Sequence, residues 1–229
     1  MSFKEQFKAE VATEKEKFKQ MSFSDKLWYI YEYYKFHILG LIGVIMLCCI
    51  IGTSIYNSTR ETMLYTVVIN NPNGMYTNTD PLSTEFHEHM GFREKDNTIA
   101  ESMFIHYGAE ATEYSYAAMG KISALIAAAD LDFMLCDDEV FEHFYQMDAF
   151  LDLEDALPAD IWEVVADRAI YTTSPETGET IASAIDISGI PFMERCAINM
   201  QPAHLCIIAN TVRMDNCIAM LRYMLDLEE

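Results

Sequence analysis

The 229-residue chain carries 15 basic and 36 acidic residues, a net charge of −21, which argues against nucleic-acid binding because phosphate backbones are held by Lys and Arg. The imbalance is one-sided: residues 1–35 hold seven Lys against six acids, so the remainder holds eight basic and thirty acidic residues. The six Cys show no C-x-x-C or Cys/His metal spacing, and no metal or other cofactor is expected.

Phe3, Phe7, Val11 and Phe18 repeat at helical spacing among Lys and Glu, which predicts an amphipathic helix over residues 3–18. Such a helix lies on a membrane surface, docks on a cytoplasmic partner, or is a solvated tail that becomes helical only near the bilayer. From Ser24 to Lys35 the chain is crowded with Trp28, Tyr29, Tyr31, Tyr33 and Tyr34, the rings that collect at headgroup level, and Ser24 is a plausible helix N-cap.

Residues 36–56 then run without a charged side chain. At about 1.5 Å per residue this stretch reaches across roughly 30 Å, the hydrocarbon thickness of a bilayer, and it reads as a transmembrane helix. It is too long for the hydrophobic region of a signal peptide. Lys17, Lys19, Lys26 and Lys35 precede it and only Arg60 comes soon after. The positive-inside rule therefore places the N-terminus in the cytoplasm and the acidic remainder outside the cell, at the cell membrane, as a single-pass protein. The expected organisation is 1–35 cytoplasmic, 36–56 transmembrane, 57–62 linker and 63–229 one extracellular domain.

Within that domain Met63 to Ile69 is β-rich and stops at Asn70-Asn71-Pro72-Asn73-Gly74, a strand followed by a turn. Asp80-Pro81 opens a helix of about ten residues with Leu82, Phe86 and Met90 on one face. Met103 to Tyr107 is the expected second strand, and Tyr114, Ala118, Ile122, Leu125, Ile126 and Ala129 stripe a second helix. Leu131 to Cys136 is a short apolar strand, and Asp137-Asp138-Glu139 opens a third helix along Val140, Phe141, Phe144 and Tyr145. Next come a short helix near Ile161, a hairpin of residues 168–173 and 180–187, a buried strand 204–209, and a final helix striped by Met214, Cys217, Ile218, Leu221, Met224 and Leu225. The leading β-α alternation predicts an α/β fold with a mixed, largely parallel sheet flanked by helices.

Chemistry is sparse, and no enzyme is expected. There is no Gly-x-Ser-x-Gly elbow, phosphate loop or His-Glu-x-x-His. His87 and His89 are two apart, which on a helix aims them about 200° from each other, a poor metal pair. His106, His143 and His204 sit in or beside apolar runs and read as core or rim residues. Asp137-Asp138-Glu139 stands where α/β sheets bind ligands, at a strand's end and a helix start, but carboxylates there are also ordinary caps that complement the helix dipole. Cys136, Cys196, Cys206 and Cys217 can pair in an oxidising compartment or serve as small buried hydrophobes, and the apolar settings of all but Cys196 favour thiols.

The segment Asp132 to Phe141 with Gln146 to Leu153, and the strand His204 to Asn210 with the helix Arg213 to Leu225, resemble parts of extracellular solute-binding proteins of ABC transporters. The layout, with Lys26 to His37 entering the span, also resembles uncharacterised single-pass membrane proteins of Gram-positive bacteria. The resemblance implies a truncated periplasmic-binding-protein fold with a reduced second lobe, and a membrane-anchored binding domain for a small molecule or peptide. The alternative is a non-ligand-binding interaction or assembly subunit that partners a membrane transporter or secretion complex. Neither implies an individual binding residue.

Overall fold

A computed structural model describes residues 22–174 and 177–227. The helix expected over residues 3–18 lies outside them. The chain divides into two compact units, 1–59 and 60–229.

In the first unit, helix α1 runs unbroken from Phe23 to Ser58. It begins one residue before Ser24 and continues two residues past the expected span. Its stretch Lys35–Ser54 has a mean hydropathy of 2.4 and no buried residue, and is long and apolar enough to cross a membrane. Near the end of this stretch Thr53 Oγ1 donates back to the carbonyls of Cys49 (2.9 Å) and Ile50 (3.0 Å), so it needs no outside partner.

The second unit is a three-layer α/β/α arrangement. Its strands are β1 (Thr62–Ile69), β2 (Asn97–Met103), β3 (Phe133–Cys136), β4 (Ala169–Thr173), β5 (Thr180–Asp186) and β6 (His204–Ile207). Its helices are α2 (Thr84–His89), α3 (Glu113–Ala127), α4 (Asp138–Tyr145), α5 (Leu153–Ala156), α6 (Ala159–Val165), α7 (Pro191–Arg195) and α8 (Met214–Leu225). The strand order is β2-β1-β3-β6-β5-β4. Along β1 the side chains alternate between faces: Leu64 and Val68 join the core under α2, α5, α6, α7 and α8, while Tyr65, Val67 and Ile69 join the core under α3 and α4.

The sheet corrects the expectation of mostly parallel pairing. Only β1–β2 and β1–β3 are parallel, whereas β3–β6, β5–β6 and β4–β5 are antiparallel. Parallel neighbours need a crossover connection, and β-α alternation signals one only as far as β3. Beyond it α4, α5 and α6 lead to a hairpin, and β6 enters between β3 and β5 running against both.

Two element boundaries also differ. The second strand ends at Met103, where the apolar run predicts its start. As an edge strand β2 is mostly half-buried, so its residues lack an apolar signature, while the buried Ile105 belongs to the loop beyond. The helix expected from Asp80 is a 3-10 turn, Asp80–Leu82, followed by α2; the helical conformation is interrupted at Ser83, and Thr79 holds the position before the turn.

A buried ion pair ties the last helix to the sheet. Asp132 has no solvent exposure, and its carboxylate accepts from the Tyr65 N–H (2.8 Å), Thr211 Oγ1 (2.5 Å) and Arg213 Nε (2.8 Å). Arg213 directly precedes α8 and also donates through Nη2 to the carbonyl of Asp130 at 2.7 Å. A buried charge is tolerated when every lone pair has such a partner.

Candidate functional site

Strands β1, β2, β3 and β5 end at one edge of the sheet, where β6 and β4 begin. The strand order reverses between β1 and β3, and in open α/β sheets that is where a crevice forms. At that reversal Asn70 bonds residues that follow β2 and β3. Asn70, in the left-handed conformation at φ 60°, donates from Nδ2 to Asp137 Oδ2 (2.9 Å) and to the Ile105 carbonyl (2.9 Å), and its Oδ1 accepts from the Ile105 N–H (2.8 Å).

Asp137 caps α4, its Oδ1 accepting from the Val140 N–H at 3.1 Å. Asp138 reaches instead to His204 Nε2 at 2.6 Å; the imidazole is buried and stacks on Phe141 with ring centroids 4.5 Å apart. The first two acids of the Asp137-Asp138-Glu139 run are therefore cap and tether at this edge. The hydroxyl of Tyr107 is buried beside them with no hydrogen-bond partner among the described residues. Burial pushes its phenol well above the usual range, helped by the nearby Cys136, Asp137 and Glu139. His143 lies against the Tyr107 ring, with centroids 4.7 Å apart.

Beside these contacts the loop after β1 is held by a set of side-chain hydrogen bonds. The side chain of Asn71 has no exposure; its Nδ2 donates to Thr77 Oγ1 (2.7 Å) and to the Ala197 carbonyl (3.0 Å), and its Oδ1 accepts from the Asn199 N–H (3.1 Å). Asn73 Nδ2 donates to the same Ala197 carbonyl at 2.6 Å, and the Asn78 N–H donates to the Cys196 carbonyl at 2.8 Å. Gly74 takes φ +54°, and a Cβ there would rest against the Phe104 ring. What this framework holds up is the pair Met75 and Tyr76, 97% and 83% exposed. The loop is thus pinned from beneath while its two large side chains face solvent.

The chain matches no family, no curated protein and no solved structure. The resemblance to solute-binding proteins therefore rests on its two stretches, around Asp132 and from His204, alone.

The remaining candidate residues are dispersed. His87 meets Thr98 Oγ1 through Nδ1 (2.9 Å) and the Arg93 carbonyl through Nε2 (3.2 Å), whereas His89 lies against Tyr223. His106 stacks loosely on Phe104. No group of three His, Cys, Asp or Glu suited to a metal occurs among the described residues. Cys136, Cys196, Cys206 and Cys217 are buried free thiols, and burial pushes Cys196 and Cys217 up to about 12. Arg93, Lys121, Arg195, Arg213 and Arg222 each face a carboxylate, so the excess acid is what the domain shows to its surroundings.

The exposed pair was not legible in the sequence. Asn70 to Gly74 signals a turn, and Met-Tyr after a turn carries no mark of whether it folds inward. The density of asparagines was the available clue, since their amides can bond backbone that no strand or helix satisfies.

Proposed function

We propose that the chain is a single-pass membrane protein whose acidic α/β domain stands outside the cell as an interaction subunit, docking a membrane-associated protein through Met75 and Tyr76. The observation that carries this reading is the loop 70–78: three buried or half-buried asparagine amides hold in place a tip whose two large side chains make almost no contact within the domain. Exposed aromatic and methionine anchors on a preorganised loop bind at little ordering cost.

Support for the anchor comes from the length and hydropathy of Lys35–Ser54, and for the orientation from the lysines before it. The carboxylate-rich surface selects a partner with a cationic rim and disfavours self-association, because two such domains repel. No catalysis is assigned.

The test is site-specific photo-cross-linking of the full-length protein in its own membrane, with the reactive group at position 76 or, as a control, at the similarly open Val212. The expected result is one protein adduct specific to position 76, weakened as salt rises and screens the charge. Equal adducts at both positions, or only lipid adducts, would overturn the reading.

A further inference from the structure

Strand β2 forms one edge of the sheet, with β1 as its one neighbour there among the described residues. Its pairing fixes which way each peptide group points. The Asn97 N–H donates to the Glu61 carbonyl at 2.8 Å and the Met103 carbonyl accepts from the Asn70 N–H at 3.0 Å, so both ends of the strand turn their main chain toward β1. Main-chain groups alternate in direction along a strand, so Ile99 and Glu101 do the same, and the N–H and C=O groups of Thr98, Ala100 and Ser102 face away from the sheet. No described backbone group meets them, and no residue from Asn97 to Ser102 is buried.

Open edges are ordinarily blunted by proline, charge or a bulge. At the opposite edge the register of β4 with β5 shifts between Ile170 and Tyr171. Strand β2 has no proline and no basic residue, and from Thr98 to Met103 its register with β1 is unbroken. Its one charged side chain, Glu101, accepts from the Tyr65 hydroxyl at 2.9 Å and pairs with Lys121 of α3, which holds it to the face of the sheet. Alongside the edge a hollow of about 250 Å³ lies between β2 and α3, lined by Ser102, Met103, Tyr114, Ala117 and Ala118 among others.

We infer that a partner protein adds an extended segment to β2 as a further strand of the sheet, with an apolar side chain in the hollow and Lys or Arg flanking it. The shape of the occupant follows from the edge: outward N–H and C=O groups at every second residue, roughly 7 Å apart, are matched along their length by another extended backbone. Its charge follows from the surroundings. Glu110 and Glu113, both exposed, stand just before Tyr114 at the start of α3, in a chain of net charge −21. A second copy pairing β2 with β2 would bring two acidic domains together against their repulsion, whereas a basic segment is drawn in. The inference rests on the sheet edge and not on Met75 and Tyr76, and either assignment stands without the other.

The experiment is amide hydrogen exchange, read residue by residue by NMR, on the full-length protein in detergent micelles. The probe is the peptide acetyl-Lys-Lys-Thr-Val-Thr-Leu-Thr-Lys-Lys-amide, and the control carries Glu in place of each Lys. In the free protein the amides of Thr98, Ala100 and Ser102 are expected to exchange faster than those of Ile99, Glu101 and Met103. The basic peptide is expected to slow the first set at least tenfold, and the acidic control to leave it unchanged. Ala100→Pro removes an outward N–H without touching the β1–β2 ladder, so it is expected to weaken peptide binding tenfold or more with the near-ultraviolet dichroism of the fold retained. The exchange pattern of the parent protein decides the question even where the variant does not fold. Protection that rises with protein concentration in the absence of peptide would put a second copy on the edge and overturn the inference. Protection by neither peptide at millimolar concentration, or equal protection by both, would overturn it too.

Discussion

Helix α1 and the α/β domain spend the same kinds of side chain in opposite ways. In α1 Leu39, Leu41 and Ile50 are more than 60% exposed, whereas in the domain Leu64, Phe86 and Phe133 are essentially inaccessible. A water-soluble unit hides such groups because each fully buried one is worth roughly 1.5–3 kcal/mol. A helix that shows them on every side suits a hydrocarbon solvent. Against that contrast Met75 and Tyr76 stand out, since they sit in the domain yet are more exposed than any large apolar residue described in α1.

The contrast can be broken at several points. The largest effects are expected inside the domain. Phe133→Ala opens a cavity at the centre of the sheet and Asp132→Ala leaves the largely buried Arg213 without its carboxylate; each is expected to cost about 3–5 kcal/mol in urea unfolding of the micelle-solubilised protein. A loss below about 1 kcal/mol for Asp132→Ala would show that the ion pair does not hold α8 to the sheet. In α1, Ile45→Arg is expected to cost about 2.5–3.5 kcal/mol of insertion and release the protein to alkaline carbonate extraction, with the domain's unfolding midpoint unchanged. Full retention in the membrane fraction would break the reading of the helix as a span.

Smaller effects sharpen the view of the loop and the core thiols. Asn71→Ala strands the Asn199 N–H and takes a donor from the Ala197 carbonyl, and is expected to cost about 1–3 kcal/mol. Burial raises Cys196 and Cys217 in the folded state to about 12, so the native protein keeps protons that the unfolded chain gives up. Their contribution is complete below the ordinary thiol value and is lost as pH climbs from about 9 toward 12, at about 1 kcal/mol per pH unit for each thiol. Cys217→Ala should flatten that alkaline decline. Least affected in stability is Met75→Ser with Tyr76→Ser, expected within about 0.5 kcal/mol of the parent while the position-76 partner contact is lost. A marked destabilisation would mean the pair packs within the domain after all.

Much of the chain's local structure could be read in order from its residues. The unbroken apolar run made α1 visible, the stripe from Tyr114 to Ile126 made α3 visible, and the turn chemistry between residues 173 and 180 separated β4 from β5. Asp137 was legible as a cap because a cap needs only its own neighbours. Strand β2 was not, because an edge strand lacks the apolar pattern that a covered one must have. The buried contacts of Asp132, Asn70 and Asn71 were equally hidden, since Tyr65 lies 67 residues from Asp132, Asp137 lies 67 from Asn70, and Ala197 lies 126 from Asn71.

By itself, then, the sequence determined the membrane-suited helix, the acidity of the domain beyond it, and the kind and order of most elements, because composition and periodicity are properties of neighbouring residues. Only the tertiary structure decided that the sheet is mostly antiparallel, that Asn70 bonds Asp137 where the strand order reverses, and that Met75 and Tyr76 face outward. Strand direction, burial and charge proximity are set by which distant segments meet, and that is fixed when both faces of the sheet are covered at once.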